Sequence, residues 1–494
     1  CLDNFFTGQE ENIEHLLDDD NFDVIKHDIR EKIPWNRGDE LDRIYHLACP
    51  ASPVQYRFDP IFTMETGVEG TQNVLELARK TDARVLYSST SEAYGDPKEH
   101  PQSEDYFGNV DQLGKRACYD ESKRAAETLC KDYAEKYDLD TRIVRIFNTY
   151  GPRMNFNDGR VISNFILQAL LSKDLTVHGT GEQTRSFIYI DDQIRGLRGV
   201  MEVDLDKPTY SPFNIGNSDE RSIISVAEKI KEKTNSESEI KKIPIEDVPE
   251  RKGDPKQRCP DISKINNKLG WSPQVSFEQG IEKTIENFRS RLENRPRIPI
   301  FVPTFLDDNG PAESAVEEII EQLPEWEFDI ITSKFDDKLP KEEHKDRVHI
   351  FRLGSGSTLD KFLLPIRGAL FARKRHNEYN YKLAWAVMAS YGALSAVLFS
   401  VFSGFKVPVL LSVFEGSTIN EELQEKPWRS WIYKLIFRNA SKWQIISDMT
   451  EQQKAWLEDE EQVQILDFDS ETELLAKRTK EAIRELEILS DFRK

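Results

Sequence analysis

Cysteine is scarce. The 494 residues hold five, Cys1, Cys49, Cys118, Cys130 and Cys259, an odd number with no Cys-x-x-Cys pair and none after residue 259. That excludes a disulfide framework, gives no zinc-ligand spacing and so no expected metal, and suits a reducing, cytoplasmic setting. Basic residues are also short, 67 against 88 acidic, for a formal net charge of −21. Such a balance argues against nucleic acid or an anionic membrane surface as a partner. An anionic small substrate stays open, since it needs only a local cluster of Arg and Lys. Long apolar runs are lacking with one exception, Leu383 to Phe405, which carries no charge over 23 residues. That length can cross a bilayer. However, Ser390, Ser395, Ser400 and Ser403 dilute it and Gly392 interrupts it, so no stable membrane span is expected. The preferred reading is a strand ending near Met388, then a helix packed in an α/β core. No signal peptide is visible, and no glycine-rich phosphate loop stands near the start.

What is present is a chain too long for one ordinary core, with 38% hydrophobic and 31% charged residues, so two or three soluble-type domains are expected. Strand patterns fall at Asp23–Asp28, Ile44–Ala48, Arg84–Ser89 and Thr141–Phe147, with helical stretches at Glu10–Leu17, Gly70–Lys80 and Tyr119–Lys136. Alternation at this spacing implies a doubly wound parallel sheet, whose ligands bind at the carboxyl ends of the strands.

At such an end lies Ser88-Ser89-Thr90-Ser91-Glu92-Ala93-Tyr94-Gly95-Asp96, followed by Tyr119-Asp120-Glu121-Ser122-Lys123. A Tyr and a Lys four apart share one helix face. Lys123 is expected to lower the pKa of the Tyr119 phenol, making it a base near neutral pH. With hydroxyls and a carboxylate facing the same cleft, the set describes proton removal from a sugar hydroxyl.

Several further stretches follow in order. They are Asp3-Asn4-Phe5-Phe6-Thr7-Gly8, His46-Leu47-Ala48-Cys49-Pro50, Arg145-Ile146-Phe147-Asn148-Thr149-Tyr150-Gly151-Pro152-Arg153, Asn157-Asp158-Gly159-Arg160-Val161, Gln183-Thr184-Arg185-Ser186-Phe187 and Gly253-Asp254-Pro255-Lys256-Gln257-Arg258. With them, residues 1–292 resemble the extended short-chain dehydrogenase/reductase family and, within it, the UDP-glucuronate decarboxylases (UDP-xylose synthases). The resemblance implies a Rossmann-type fold, NAD as cofactor, UDP-glucuronate as substrate and a homodimer formed through helices including Tyr119–Lys136. It implies a redox-neutral cycle, in which oxidation at C4 gives a 4-keto sugar, CO2 leaves, and reduction yields UDP-xylose.

Roles come with the resemblance. Tyr119, Lys123, Thr90, Ser91 and Glu92 would be catalytic. Asp3, Asn4, Asp28, Ile29, Leu47 and Ala48, with Tyr119 and Lys123, would bind the cofactor. Asn148, Arg160, Val161, Arg185 and Arg258 would bind the UDP-sugar. The family's acidic ribose ligand matches Asp3, so the chain reads as truncated at its N-terminus, without the first strand and glycine loop. Gly67 stands where relatives carry an Asn, and His178 where they carry a Tyr. A UDP-sugar 4-epimerase and a catalytically idle scaffold are the alternatives.

Glu293-Asn294-Arg295-Pro296-Arg297 reads as a linker. Beyond it, residues 298–494 restart with strand patterns at Ile298–Pro303, Glu327–Ser333, Val348–Leu353, Val407–Gly416 and Lys442–Asp448, with a helix opening near Asn309–Glu313. This second Rossmann-like α/β domain resembles, over about 298–490, the N-terminal acceptor-side domain of retaining GT-B glycosyltransferases, without their donor-binding half. Such a domain alone is not expected to transfer sugar. The tail from Glu471 to Leu489 reads as a charged, helix-rich segment with one solvated face.

Overall fold

A computed structural model describes residues 1–35, 41–156, 158–207, 209–248, 255–305, 311–357, 359–388 and 390–414. Beyond these it describes 435–436, 438–446, 463–466, 478–480, 482–483 and 486. Asn157, Gly253, Asp254, Asn309, Gly310, Ser447, Asp448 and most of the Glu471–Leu489 tail lie outside the described residues. The chain divides into two compact units, Cys1–Ser290 and Arg291–Lys494.

Unit 1 opens with strands β1 (Leu2–Asp3) and β2 (Ile25–Lys26), which pair in parallel, Leu2 with Ile25 and Asp3 with Lys26. The expected helix at Glu10–Leu17 is instead two short 3-10 turns, Glu10–Asn12 and Glu14–Leu16, with no buried residue. Ile13, Leu16 and Leu17 stand at helical spacing, but none of them is buried, so packing does not stabilise a full α-helix here. Next come β3 (Arg43–His46), α1 (Pro53–Phe58) and α2 (Pro60–Glu65). Each helix starts with a capping side chain, Ser52 or Asp59, and a proline in its first turn. A π-turn, Thr66–Gly70, carries α2 into α3 (Thr71–Thr81). Strand β4 (Arg84–Thr90) then leads to α4 (Ala117–Tyr137) and β5 (Thr141–Ile146).

The smaller elements that follow are β6 (Thr149–Tyr150), α5 (Val161–Leu170), β7 (Leu175–His178), β8 (Thr184–Ser186), β9 (Ile188–Tyr189) and α6 (Ile190–Glu202). After these come β10 (Phe213–Ile215), β11 (Glu220–Ser222), α7 (Ile223–Thr234), β12 (Ile240–Ile243), α8 (Ser263–Leu269) and α9 (Phe277–Glu293).

The central sheet runs β3-β4-β5-β10, all parallel. Strand β4 is buried on both faces, as a parallel strand covered by helices must be. Its side chains alternate: Val85 and Tyr87 pack with Val74, Leu75 and Ala78 of α3 and Ala126 and Cys130 of α4. Leu86 packs the other way, with Leu197, Val200 and Met201 of α6 and Ile265 of α8. Helices on both faces make this the doubly wound Rossmann-type fold expected. A set of two-stranded pairs, β6-β9, β7-β12 and β8-β11, lies beyond it.

Unit 2 comprises β13 (Arg297–Phe301), α10 (Pro311–Glu321), β14 (Glu327–Ser333), β15 (Glu342–Lys345), β16 (Val348–Leu353), α11 (Asp360–Tyr379), β17 (Ala384–Val387), α12 (Tyr391–Phe402), β18 (Val409–Phe414), β19 (Lys442–Ile446) and β20 (Val463–Leu466). One sheet orders them β15-β16-β14-β13-β17-β18-β19-β20, parallel except for the antiparallel edge β15. The chain works outward from β13 in both directions, the winding of a dinucleotide-binding sheet. Ile298 and Ile300 face Val316, Ile319 and Ile320 of α10, while Phe301 packs with α11 and α12. The uncharged run from Leu383 is thus a buried strand followed by a core helix. No helix of the described residues is long and apolar enough to cross a membrane.

Candidate active site at the end of strand β4

Strand β4 ends at Thr90, whose hydroxyl accepts a hydrogen bond from the Glu92 N–H at 3.1 Å and starts a 3-10 turn, Ser91–Tyr94. That turn aims Ser91 and Glu92 away from the strand and towards the N-terminal half of α4. Thr90 and Ser91 are both buried.

Tyr119 sits in the first turns of α4, its ring stacked on Tyr56 of α1 at 5.1 Å and 8°. The Thr90 hydroxyl hydrogen-bonds the Tyr119 phenol. Lys123, one turn on, is 3% exposed and donates to the Ser88 carbonyl at 2.7 Å. Its ammonium lies 5.1 Å from the Tyr87 ring centre and 5.8 Å from that of Tyr119. So Thr90, Tyr119 and Lys123 do converge, but the electrostatics correct the expectation. Burial pushes the Tyr119 phenol well up from its ordinary 10, with the Thr90 hydrogen bond and Arg160 opposing. Burial also pulls Lys123 down. Both charged forms lose hydration in the same apolar pocket, and that loss outweighs what an ammonium hydrogen-bonded to Ser88 offers the phenol.

A dense charge cluster surrounds Glu92. Arg258 grips its carboxylate with both Nη atoms, Nη1 to Oε1 in close contact and Nη2 to Oε2 at 2.9 Å. Arg116 closes on Oε2 from α4's approach. Burial raises the Glu92 carboxyl, yet Arg116, Arg258 and the more distant Arg185 hold it at about 2. Bidentate guanidinium–carboxylate pairing of this kind is the strong form of an ion pair. Asp120, one turn after Arg116, is 7% exposed. Burial and the Glu92 charge raise its carboxyl to about 7, against the pull of Arg116 and Arg258. One oxygen of Asp120 and the Nε of Arg258 are buried without a hydrogen-bond partner.

The remaining expected residues fall in two places. At the carboxyl ends of β1 and β2, the Asn4 side chain donates to Asp28 at 3.2 Å and the Asp3 carboxylate accepts from the Phe5 N–H at 2.7 Å. Asp28 is also paired with Arg30 at 3.0 Å, which ties to Glu65 at 2.7 Å. Ile29 is buried against Gly70, where an added Cβ would lie 2.5 Å from it. Leu47, just past β3, is 54% exposed beside half-buried Ala48. On the other side, Arg160 caps α5, which Val161 begins, and donates to the Ala51 carbonyl at 2.9 Å. Asn148 is half-buried, its carbonyl accepting from Ile188. Arg185 of β8 donates to the Thr184 carbonyl at 2.7 Å.

Arg116, Asp120 and Tyr56 take no role in the motif-based expectation. Arg116 and Asp120 are four apart on one helical face, the same spacing that singled out Tyr119 and Lys123, so the signal was there. Nothing local marks Tyr56.

The family model described as GDP-mannose 4,6 dehydratase matches residues 3–284, more than half of the chain. The chain belongs to this family. It is of the extended short-chain dehydrogenase/reductase type. Among curated relatives of this family member, UDP-glucuronic acid decarboxylase 1 of Xenopus tropicalis is 49% identical over 294 residues, covering 60% of this chain and 67% of that protein. UDP-glucuronic acid decarboxylase 3 of Arabidopsis thaliana is 50% identical over 295 residues, covering 60% of this chain and 82% of that protein. Across such relatives the chain spans from 62% to 82% of their length. Among solved structures, the dTDP-glucose 4,6-dehydratase DesIV of Streptomyces venezuelae, with NAD bound, has a TM-score of 0.52 at 26% identity. It covers 58% of this chain and 86% of that one.

Proposed function

We propose that unit 1 is an NAD-dependent UDP-glucuronate decarboxylase that makes UDP-xylose through a 4-keto intermediate. The observation that carries this reading is the set of decarboxylases 48–50% identical to the chain. The site supports it with an anion-binding cluster beside a Tyr–Thr pair.

The residues present fit NAD. Carboxylates Asp3 and Asp28 stand at the ends of adjacent parallel strands, where such sheets bind ribose hydroxyls. We assign them, with Asn4 and Ile29, to the adenosine end, and Leu47, Ala48 and Lys123 to the nicotinamide end. When bound, NAD supplies the hydride acceptor, and later donor, at C4 of the sugar. Tyr119 takes the C4 hydroxyl proton and returns it, with Thr90 holding the same oxygen. The raised phenol of the free chain must fall for this, so proton uptake is tied to the occupied site. Once C4 is a ketone, the substrate is a β-keto acid, whose C5–C6 bond breaks as its electrons enter the ketone, and the enolate left behind takes a proton at C5 from solvent. Ser91 and Glu92 lie towards C5 and C6, where the Glu92 charge disfavours the carboxylate and favours CO2. Three guanidiniums, Arg116, Arg185 and Arg258, against Glu92 leave an excess of positive charge for the diphosphate. Asn148, Arg160 and Val161 complete the nucleotide side.

Proton NMR of UDP-glucuronate with NAD and the chain tests this. UDP-xylose is the expected product. UDP-galacturonate would make it an epimerase, and unchanged substrate would favour a scaffold.

We also propose a homodimer, supported by Ile61, Phe107 and Leu113, large apolar side chains more than 70% exposed on α2 and the approach to α4. A monomeric mass in light scattering would reject it. Unit 2 reads as an acceptor-side glycosyltransferase domain, supported by its strand order. Titration with UDP-xylose should then find one site, lost in Arg258→Ala; a second, unaffected site would refute that reading. Five free cysteines fit a reducing compartment such as the cytoplasm.

A further inference from the structure

Three segments far apart in sequence meet within unit 1. His100, Glu220 of β11 and Cys259 bring an imidazole nitrogen, a carboxylate oxygen and a sulfur within 4.8 Å of one another. From this geometry we propose that His100, Glu220 and Cys259 form a binding site for a borderline-soft divalent ion of the zinc class.

The backbone holds the three together. Gln102 N–H donates to the Cys259 carbonyl at 2.9 Å, Cys259 N–H to the Gln102 side-chain oxygen at 2.9 Å, and Asp261 N–H to the Gln102 carbonyl at 2.8 Å. That pairing sets His100 beside Cys259. Strand β11 joins β8 through Glu220–Ser186, which brings Glu220 to the same spot. His100 Nε2 and Glu220 Oε2 are already 3.0 Å apart. Tetrahedral zinc with N, O and S ligands at 2.0–2.3 Å needs neighbouring ligand atoms about 3.3–3.7 Å apart. The sulfur must close by up to about 1.5 Å on that measure, and the exposed His100 ring can swing to meet it.

The surroundings suit an ion. Glu220 is fixed by the Thr184 hydroxyl on its other oxygen, the kind of outer contact that orients metal-binding carboxylates. The sulfur now has only long contacts with carbonyls, 3.7 Å to Ser218 and 4.0 Å to Pro260. The thiol is buried and the imidazole exposed, so an ion enters from solvent and leaves a fourth position for water. Imidazole, carboxylate and thiolate together select zinc-like ions over magnesium or calcium. Binding replaces the sulfur's proton by the metal and releases that proton to solvent. Burial, then Glu220 and Asp261, push the Cys259 thiol up to about 11. The expectation from cysteine spacing, that the chain has no zinc site, looks only along the sequence; these ligands come from three separate loops and strands.

Cobalt(II) titrated into the full chain is the test, because thiolate-bound cobalt has a near-ultraviolet charge-transfer band. One equivalent should develop the band in the native chain, and Cys259→Ser should remove it. His100→Ala, at a surface position, should weaken binding at least about 10-fold with the circular dichroism unchanged, and Thr184→Val by about 10-fold. No band in the native chain, or a band that survives in Cys259→Ser, overturns the proposal. So does full affinity in His100→Ala.

Discussion

Asp120→Asn should stabilise unit 1, and more so at higher pH. The Asp120 carboxyl is moved from its ordinary 3.8 to about 7, first by burial and then by the Glu92 charge. An acid raised in this way keeps its proton in the folded state over a range where the unfolded chain has lost it. Wild-type stability therefore falls as pH climbs from about 4 to about 7 and stays low above. At 1.36 kcal/mol per pH unit, the full effect is about 4 kcal/mol, of which less than half is lost by pH 5 and nearly all by pH 8. The variant cannot ionise, so it should gain about 2–3 kcal/mol on wild type between pH 5 and pH 8. Glu92 does not mask this. Its carboxyl is held at about 2, so its contribution is complete above about 4.5 and is lost only at lower pH. His46 is pulled down to about 3 by burial and then by Lys123, which costs stability below about 6.5, but it does so equally in both proteins. Two compact units make whole-chain melting a poor two-state measure. Native-state hydrogen exchange of the α4 amides, compared between variant and wild type at each pH, reads unit 1 directly. An advantage that is equal at pH 5 and pH 8, or a variant less stable at pH 8, would refute the reasoning.

Glu92→Gln should cut CO2 release from UDP-glucuronate by about 10²–10³-fold, the usual loss of a placed charge, and should cost unit 1 about 3 kcal/mol at pH 7. Unchanged CO2 release, followed by headspace gas analysis, would sink the role assigned to Glu92. Tyr119→Phe should lower turnover by about 10²–10⁴-fold while keeping the Tyr56 stack; a native-like near-ultraviolet spectrum with retained turnover would remove Tyr119 from the mechanism. Gly67→Ala should destabilise by about 1–3 kcal/mol, because its Cβ would lie 2.6 Å from the Ser122 side chain. Adding Ser122→Gly should recover most of that loss, and additive urea midpoints would show that the two positions do not compete. Asp329→Asn should destabilise unit 2 by about 3–5 kcal/mol, since Asp329 is fully buried and paired with Arg375 at 2.8 Å; an unchanged unit 2 in exchange experiments would count against this.

The fold of unit 1 was legible where a run had to be buried. Arg84–Ser89 is apolar on both faces, and β4 occupies that run with one residue more. The Tyr119–Lys136 stretch became α4 with two residues more at its start and one more at its end. Glu10–Leu17 carries Ile13, Leu16 and Leu17 at helical spacing, yet the fold buries none of them, so the stretch forms only two 3-10 turns. At the site, Thr90 and Tyr119 could be paired from motif order, while the Lys123 effect could not be judged. Its sign depends on how much water the pocket excludes, which spacing does not encode. The Gly67 departure finds its reason in the fold, since Ser122 fills the space a larger side chain would need. Tyr56 and the His100–Glu220–Cys259 cluster were invisible because their partners come from distant segments.

The leftover polar atoms of unit 1 sharpen where a substrate meets the protein. Buried polar groups are nearly always satisfied, and each exception costs about 1–3 kcal/mol. Among the exceptions, the Arg258 Nε donor and an Asp120 oxygen belong to the residues that surround Glu92, and the Tyr56 and Tyr87 hydroxyls lie on the residues that flank Tyr119 and Lys123. Arg258 spends both Nη groups on Glu92 and keeps Nε unspent. A neutral Asp120 has a proton to give, and an ionised one has an oxygen to receive. Their unmet capacity, one donor and one group that can act either way, is what an oxygen-rich anion needs on entering. A cluster built only for stability would have closed these bonds internally or used apolar side chains of the same size, at no loss. Unmet atoms thus lie at both the Glu92 cluster and the surroundings of the Tyr119–Lys123 pair, which is the pattern expected if one ligand met both.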